Sequence, residues 1–513
     1  MAETTELTQM IKLDPTYEAL LDPRVSTGVP GLDDILAGGL MANRLYLVEG
    51  QPGAGKTTLA LQFLLAGRAR GESGLYVTLS ETEEELHAVA RSHGITLDGI
   101  ALFEFASTKN AMSAGHDQTL LHPWEVELGE TIKLITDKVE ATNPTLVVFD
   151  SLSEMRLLAQ DPLRYRRQIL ALKQFFAGRH TTVLLLDDMT ASAERDLQLH
   201  SLCHGVITLE RLSQQFGPAR RRIEVQKMRG VRYRAGFHDF KIEHGGLVIY
   251  PRLVALEHHR PFIGAPVPSG IPALDALLDG GPLRGTSTLI TGPAGSGKTT
   301  LALQYVDAAC RRGERAVLYE FDERAGTLIS RCAKQGIDLN GHIDAGRLVI
   351  KQIDPAELSP GEFDAMVRHE IEVHGARMIV IDSLAGYTIS MPEEQQLVLQ
   401  LHELLSYLNQ QGIVTFLINT QSGLVGGMQS NGINVSFLSD AVLLLRFFEA
   451  GGRMLKALSV IKNRGGGHED SIREVRIGES GIRIGEPLRQ FHGVLTGTPT
   501  FRGDGDPLLM ERD

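Results

Sequence analysis

Residues 49–63 read EGQPGAGKTTLALQF, and 242 positions further on residues 291–305 read TGPAGSGKTTLALQY. Each contains G-x-x-x-x-G-K-[ST], preceded by a short apolar run and followed by a helical pattern, which is the context a phosphate-binding loop requires. In the first copy the loop is Gly50, Gln51, Pro52, Gly53, Ala54, Gly55, Lys56 and Thr57, followed by Thr58. In the second it is Gly292, Pro293, Ala294, Gly295, Ser296, Gly297, Lys298 and Thr299, followed by Thr300. The glycines let backbone N–H groups turn inward around phosphates, and the helix that follows adds its positive N-terminal dipole. Lys56 and Lys298 are expected on the β and γ phosphates of ATP, and the Thr57 and Thr299 hydroxyls on Mg²⁺.

Working outward, the likeness between the halves continues. STGVPGLDDILAGGL at 26–40 returns as PSGIPALDALLDGGP at 268–282, and Glu81 and Glu323 keep the spacing of 242. Asp150 and Asp382 are only 232 apart, so the first half holds an insertion, placed at about 106–122. In the first half the runs 45–48, 75–79, 146–149 and 183–186 are almost wholly apolar, as strands covered on both faces are. Between them, Trp124, Leu128, Ile132, Ile135 and Val139 share one helical stripe, and Phe363, Val367 and Ile371 do the same in the second half. Alternating strands and helices imply an α/β fold with mainly parallel sheets. The expected organisation is a flexible start over 1–20, a first domain over 21–250, a proline-rich extended connection over 251–267, a second domain over 268–495 and a mobile tail over 496–513.

A chain of 513 residues exceeds the ~250–300 at which single cores stop growing, which agrees with two domains. Hydrophobic residues make up 42% and charged residues 22%, ordinary for a soluble globular protein, and the net charge of −12 disfavours binding to phosphate polymers. Cys203, Cys310 and Cys332 match no paired metal or redox spacing. No export signal or spanning segment is read, so a cytoplasmic location is expected and no membrane partner. His258 and His259 fall in the proline-rich connection without zinc-ligand spacing.

Asp150 in VVFDSL and Asp382 in IVIDSL end apolar strands after the loops, where a carboxylate holds Mg²⁺ directly or through water. Helix capping is the ordinary alternative. Glu81 in LSET and Glu323 in FDER each follow the strand after the loop helix and are the candidates to orient or deprotonate the attacking oxygen. Asp322 adds a second carboxylate beside Glu323, where the first half has Ser80.

Two phosphate-binding loops each preceded by G-[VI]-P-x-L-D, D-S-L after the later strand, QKMRG at 226–230, IKNRGGGH at 461–468 and the ending LTGTPT together resemble the KaiC family. The resemblance covers about 27–499. It implies two tandem RecA-like P-loop NTPase domains, a two-tiered homohexamer with ATP at subunit interfaces, and serine/threonine autokinase activity in the second half. It implies that Lys227 and Arg229, and Lys462, Arg464 and His468, reach a neighbour's γ-phosphate; cations supplied across an interface stabilise the transferring phosphoryl group. Ser436 matches the family's phosphoacceptor serine, whereas Phe437 stands where the adjacent threonine stands; an unmodified loop residue is the other reading of Ser436. A KaiB-like partner at the first half is compatible with the resemblance. The Gly- and Asp-rich tail departs from the family pattern and argues against a KaiA-like activator there.

The basic stretch Arg220, Arg221, Arg222, Lys227, Arg229, Arg232 and Arg234 is the basis of a rival, a RecA-type recombinase or helicase tracking DNA. No aromatic residue interrupts 220–232 to stack on bases, so the interface role is preferred and nucleic acid is not expected. A nucleotide-dependent scaffold without kinase activity is the third reading.

Overall fold

The computed structural model describes residues 23–105, 123–159, 161–189, 197–214, 217–389, 394–421, 436–479, 481–496 and 499–501. The chain divides into two compact units, with the main division between Arg252 and Leu253. The expected insertion at 106–122, the flexible start over 1–20 and most of the tail lie outside the described residues.

The first unit is built on β1 (Leu45–Gly50), β2 (Gly74–Thr78), β3 (Ala101–Glu104), β4 (Leu146–Asp150), β5 (Thr182–Asp188), β6 (Gly205–Leu212), β7 (Arg220–Met228), β8 (Phe237–Glu243) and β9 (Gly246–Tyr250). They form one sheet in the order β9-β8-β7-β6-β1-β5-β4-β2-β3. The strands from β6 to β3 run parallel, and β7 to β9 extend the sheet as an antiparallel meander. Every residue of β1 and β4 is buried, because helices cover both faces, and this is why those strands read as continuous apolar runs. On one face the helix Lys56–Ala69 inserts Leu59, Phe63 and Leu64 into the core; on the other, Ile135, Val139, Ile169 and Leu172 pack against β4 and β5. Burying one such side chain contributes ~1.5–3 kcal/mol. Trp124 and Leu128 lie outside the residues whose side chains are described.

The second unit repeats the plan with β10 (Ser287–Gly292), β11 (Ala316–Glu320), β12 (Leu348–Gln352), β13 (Met378–Asp382), β14 (Val414–Thr420), β15 (Ala441–Ala450), β16 (Arg453–Asn463), β17 (Arg473–Gly478) and β18 (Gly481–Pro487). Its order is β18-β17-β16-β15-β10-β14-β13-β11-β12, the same arrangement strand for strand. Even the register irregularity recurs, at Val206/Ile207 in the first sheet and Val442/Leu443 in the second. Both units are tandem RecA-like α/β domains with mainly parallel sheets.

One expectation needs correction. The strand expected over 183–186 runs on to Asp188, so that two more carboxylates, Asp187 and Asp188, reach the sheet edge. In the stretch 251–267, Leu253 and Ala255 join the core of the second unit, a short 3₁₀ turn forms at Ala255–Glu257 and Val267 is buried, whereas 259–266 is exposed. The three cysteines are free and buried, and burial pushes the Cys203 thiol up to about 12, leaving it unreactive.

Candidate functional site

In an open α/β sheet ligands gather beyond the carboxyl ends of the parallel strands. Register fixes which side chains meet there in the first unit: Gly50 lies opposite Asp188, and Thr78 opposite Asp150. The loop from Gly50 to Gly55 then turns into the helix Lys56–Ala69. Gly53 and Gly55 adopt φ of 74° and 111°, left-handed values that a side chain would strain, and Gly55 is the residue that caps the helix. Pro52, Gly53, Gly55, Lys56, Thr57 and Thr58 line a cleft of about 590 Å³ together with Ser80, Glu81, Asp150 and Asp188.

Lys56 is buried; its Nζ donates to the carbonyls of Gly50 at 2.9 Å and Gln51 at 3.1 Å and forms an ion pair with Asp188 at 2.6 Å. Thr57 Oγ1 donates to Asp150 Oδ2 at 2.9 Å, and Tyr76 OH donates to the same oxygen at 2.5 Å. Burial raises the Asp150 carboxyl, while the two hydroxyls and Lys56 oppose the rise. Burial also pushes Tyr76 well above the ordinary phenol range, with the Asp150 charge adding to it. Glu81 follows β2, its backbone held by Thr78, whose hydroxyl accepts from Glu81 N at 3.0 Å. Burial, then the charges of Asp150, Glu85 and Asp188, raise Glu81 above the usual carboxylate range. A raised carboxyl lining this cleft is suited to accept a proton.

The second unit brings the corresponding residues together. Gly297, at φ 103°, caps the helix Lys298–Arg311; Lys298 Nζ donates to Pro293 O at 2.9 Å, and Thr299 Oγ1 to Asp382 Oδ2 at 2.6 Å. Burial raises Asp382 to about 6. Here, however, β11 ends in Glu320, where the first unit has Thr78. Glu320 accepts from the backbone N–H of Asp322 at 3.2 Å and of Glu323 at 2.9 Å, and burial beside Asp382 pushes it up to about 8. Asp322 accepts from Ser383 Oγ at 2.5 Å, and Glu323 is paired with Arg331 at 2.7 Å.

Each unit thus offers one hydroxyl and one carboxylate side by side. That donor set fits Mg²⁺, which keeps several waters and takes phosphate oxygens rather than an all-protein cage. Among the described residues no group of three or more His, Cys, Asp or Glu forms such a cage.

The late K-x-R elements occupy equivalent positions on β7 and β16. Lys227 Nζ donates to the carbonyls of His200 and Cys203, and Lys462 Nζ to those of Ser436 at 3.0 Å and Ser439 at 2.5 Å. Arg229 donates to Ser201 O at 2.8 Å. Arg464 and His468 are exposed. Ser436 sits half-buried in a turn, beside exposed Phe437, on the backbone that Lys462 holds. Within the basic stretch, Arg222 pairs with Glu210 at 2.6 Å and stacks on Phe237, Arg221 lines the cleft, and Arg234 pairs with Asp34.

Sequence reasoning passed over Asp188, Tyr76, Glu320 and Arg331. The doublet ending LLLDD was a usable signal for Asp188, since an acid closing a buried strand marks the same edge as Asp150. Tyr76 lies inside an apolar run and Arg331 inside a helix, where nothing in the local pattern distinguishes them.

Comparison with known proteins agrees with this geometry. The family model described as "ATPase: KaiC" matches residues 25–254 and again 267–489. The chain is 29% identical to the circadian clock oscillator protein KaiC of Picosynechococcus, over 93% of this chain and 92% of that protein. It is 27% identical to the circadian clock protein KaiC3 of Synechocystis, over 94% and 96%, and 29% identical to KaiC of Thermosynechococcus vestitus, over 93% and 92%. No described helix is long and apolar enough to cross a membrane. With both halves matched and both nucleotide loops in place, the chain belongs to the KaiC family of ATPases.

Proposed function

We propose that this protein hydrolyses Mg-ATP at both phosphate-binding loops, assembles as a nucleotide-dependent hexamer with ATP at subunit interfaces, and transfers phosphate to Ser436 in its second unit. The observation that carries the reading is the pairing of a loop threonine with a strand-ending aspartate in both units, with Glu81 lining the first cleft and Asp322 near Asp382 in the second. Bound Mg-ATP supplies the reactive phosphoryl group; the chain's part is to hold it and to move a proton. Lys56 and Lys298 neutralise phosphate charge, Thr57 with Asp150 and Thr299 with Asp382 hold Mg²⁺, and Glu81 and Glu323 accept the proton of the attacking oxygen.

Lys227 and Lys462 support an interface role for the K-x-R elements. Each fastens its element to a turn of its own chain, which positions Arg229 and Arg464 at the surface for a neighbour. The internal partners of Arg222 and Arg234 weigh against the DNA-tracking rival. The relatives named as clock proteins make timing or signalling the natural biological setting, with a KaiB-like partner consistent with it.

Incubating the protein with Mg-[γ-³²P]ATP tests the kinase step: label is expected on Ser436, lost in Ser436→Ala and in Glu323→Gln. Label undiminished in Ser436→Ala would leave the ATPase and remove the assigned acceptor. A protein that hydrolyses ATP without acquiring label is the scaffold of the third reading.

A further inference from the structure

The two units differ in what holds the carboxylate beside the phosphates. Glu81 Oε2 is buried and has no hydrogen-bond partner among the described residues. Glu323 is gripped instead: Arg331 Nη2 lies 2.7 Å from Oε2 and Nε 3.4 Å from Oε1. The same guanidinium donates through Nη1 to Thr300 Oγ1 at 3.2 Å, and that hydroxyl donates to Gln335 Oε1 at 3.1 Å. Thr300 belongs to the first turn of the loop helix, so the fork ties Glu323 to the element that carries the phosphate-binding loop. At the positions 242 residues earlier the first unit has Val89 for Arg331 and His93 for Gln335, and both line its cleft.

We propose that Arg331 is a positioning residue that restrains Glu323 from the attacking water, making the second site a slow hydrolyser that retains its ATP. This rests on Glu323 acting as the proton acceptor. In hydrolysis the water oxygen forms a bond to Pγ while its proton passes to a carboxylate oxygen. The bond from Pγ to the β–γ bridging oxygen breaks, its electron pair leaving on ADP. A carboxylate whose two oxygens face a guanidinium fork has to give up a charge-assisted hydrogen bond before it takes that proton. Glu81 bears no such cost, and its raised carboxyl agrees with a readier base. Slower hydrolysis leaves ATP in the second site to hold the assembly together.

The test uses the full chain carrying Glu81→Gln, which silences the first site, and follows phosphate release from Mg-ATP. Adding Arg331→Val, the first unit's residue, is expected to raise kcat roughly five- to tenfold, with KM changed by less than about twofold. Arg331→Lys, which restores the cation, should bring kcat back towards the parent. Arg331→Gln, which keeps the stem, is the second variant if valine impairs folding, and should also raise kcat. Glu323→Gln should abolish turnover whether or not Arg331 is present. If Glu323→Gln abolishes turnover and neither the valine nor the glutamine variant raises it, the clamp is wrong and the base stands. If Glu323→Gln leaves turnover intact, the base assignment itself fails.

Discussion

Lys56 Nζ lies 2.6 Å from Asp188 Oδ1, whereas the strand that flanks the second loop ends in Thr420 opposite Gly292. The first unit therefore places an internal carboxylate on its loop lysine, and among the described residues the second does not. Two loops alike in sequence are set in different electrostatic surroundings by residues more than a hundred positions away.

On the proposed role of Lys56, nucleotide phosphates compete with Asp188 for it and meet its negative charge. Replacing Asp188→Thr should tighten ATP binding at the first site by about 1 kcal/mol, roughly fivefold. Fluorescent-nucleotide titration in a Lys298→Ala background reads this site alone. Weaker binding in Asp188→Thr would show that the carboxylate assists the nucleotide instead.

Tyr76 donates to Asp150 and lowers its carboxyl against the rise that burial imposes. Tyr76→Phe removes that donor, so Asp150 should ionise only at higher pH. The acid limb of first-site ATPase activity, recorded with Glu323→Gln to silence the second, is expected to move to higher pH. A limb that stays in place would mean that Asp150 does not set it.

Glu320 is pushed from 4.5 up to about 8 in the folded second unit. A carboxyl raised on folding binds more protons folded than unfolded, so it contributes fully only below its unfolded value, and stability falls as pH rises through the interval up to about 8. Without nucleotide and with magnesium chelated, melting of the second unit should drop between pH 5 and 8 by on the order of 2 kcal/mol, roughly 4–8 °C. Glu320→Gln should flatten that slope. An equally steep slope in the variant would assign the effect elsewhere.

The proposed placing of ATP at subunit interfaces would make assembly depend on ligand by mass action. Sizing of the purified protein should give hexamers with Mg-ATP and smaller species after nucleotide is removed. A hexamer that persists in nucleotide-free buffer would argue against ATP at the interfaces.

Much was legible from sequence because the loops are local. G-x-x-x-x-G-K-T after an apolar run specifies its own strand, turn and helix, and the repeat at 242 residues announced two copies of one fold. Asp150, Asp382, Glu81 and Glu323 could be found because parallel strands must deliver their ends to one edge. The contrast between the sites was not legible. Asp188 reaches Lys56 only because β5 lies beside β1 in the sheet, and Arg331 reaches Glu323 only because a helix turn brings position 331 back over the loop helix. Local pattern determined what the chain binds with. Side-chain contacts that only packing creates decided how each site holds its charge.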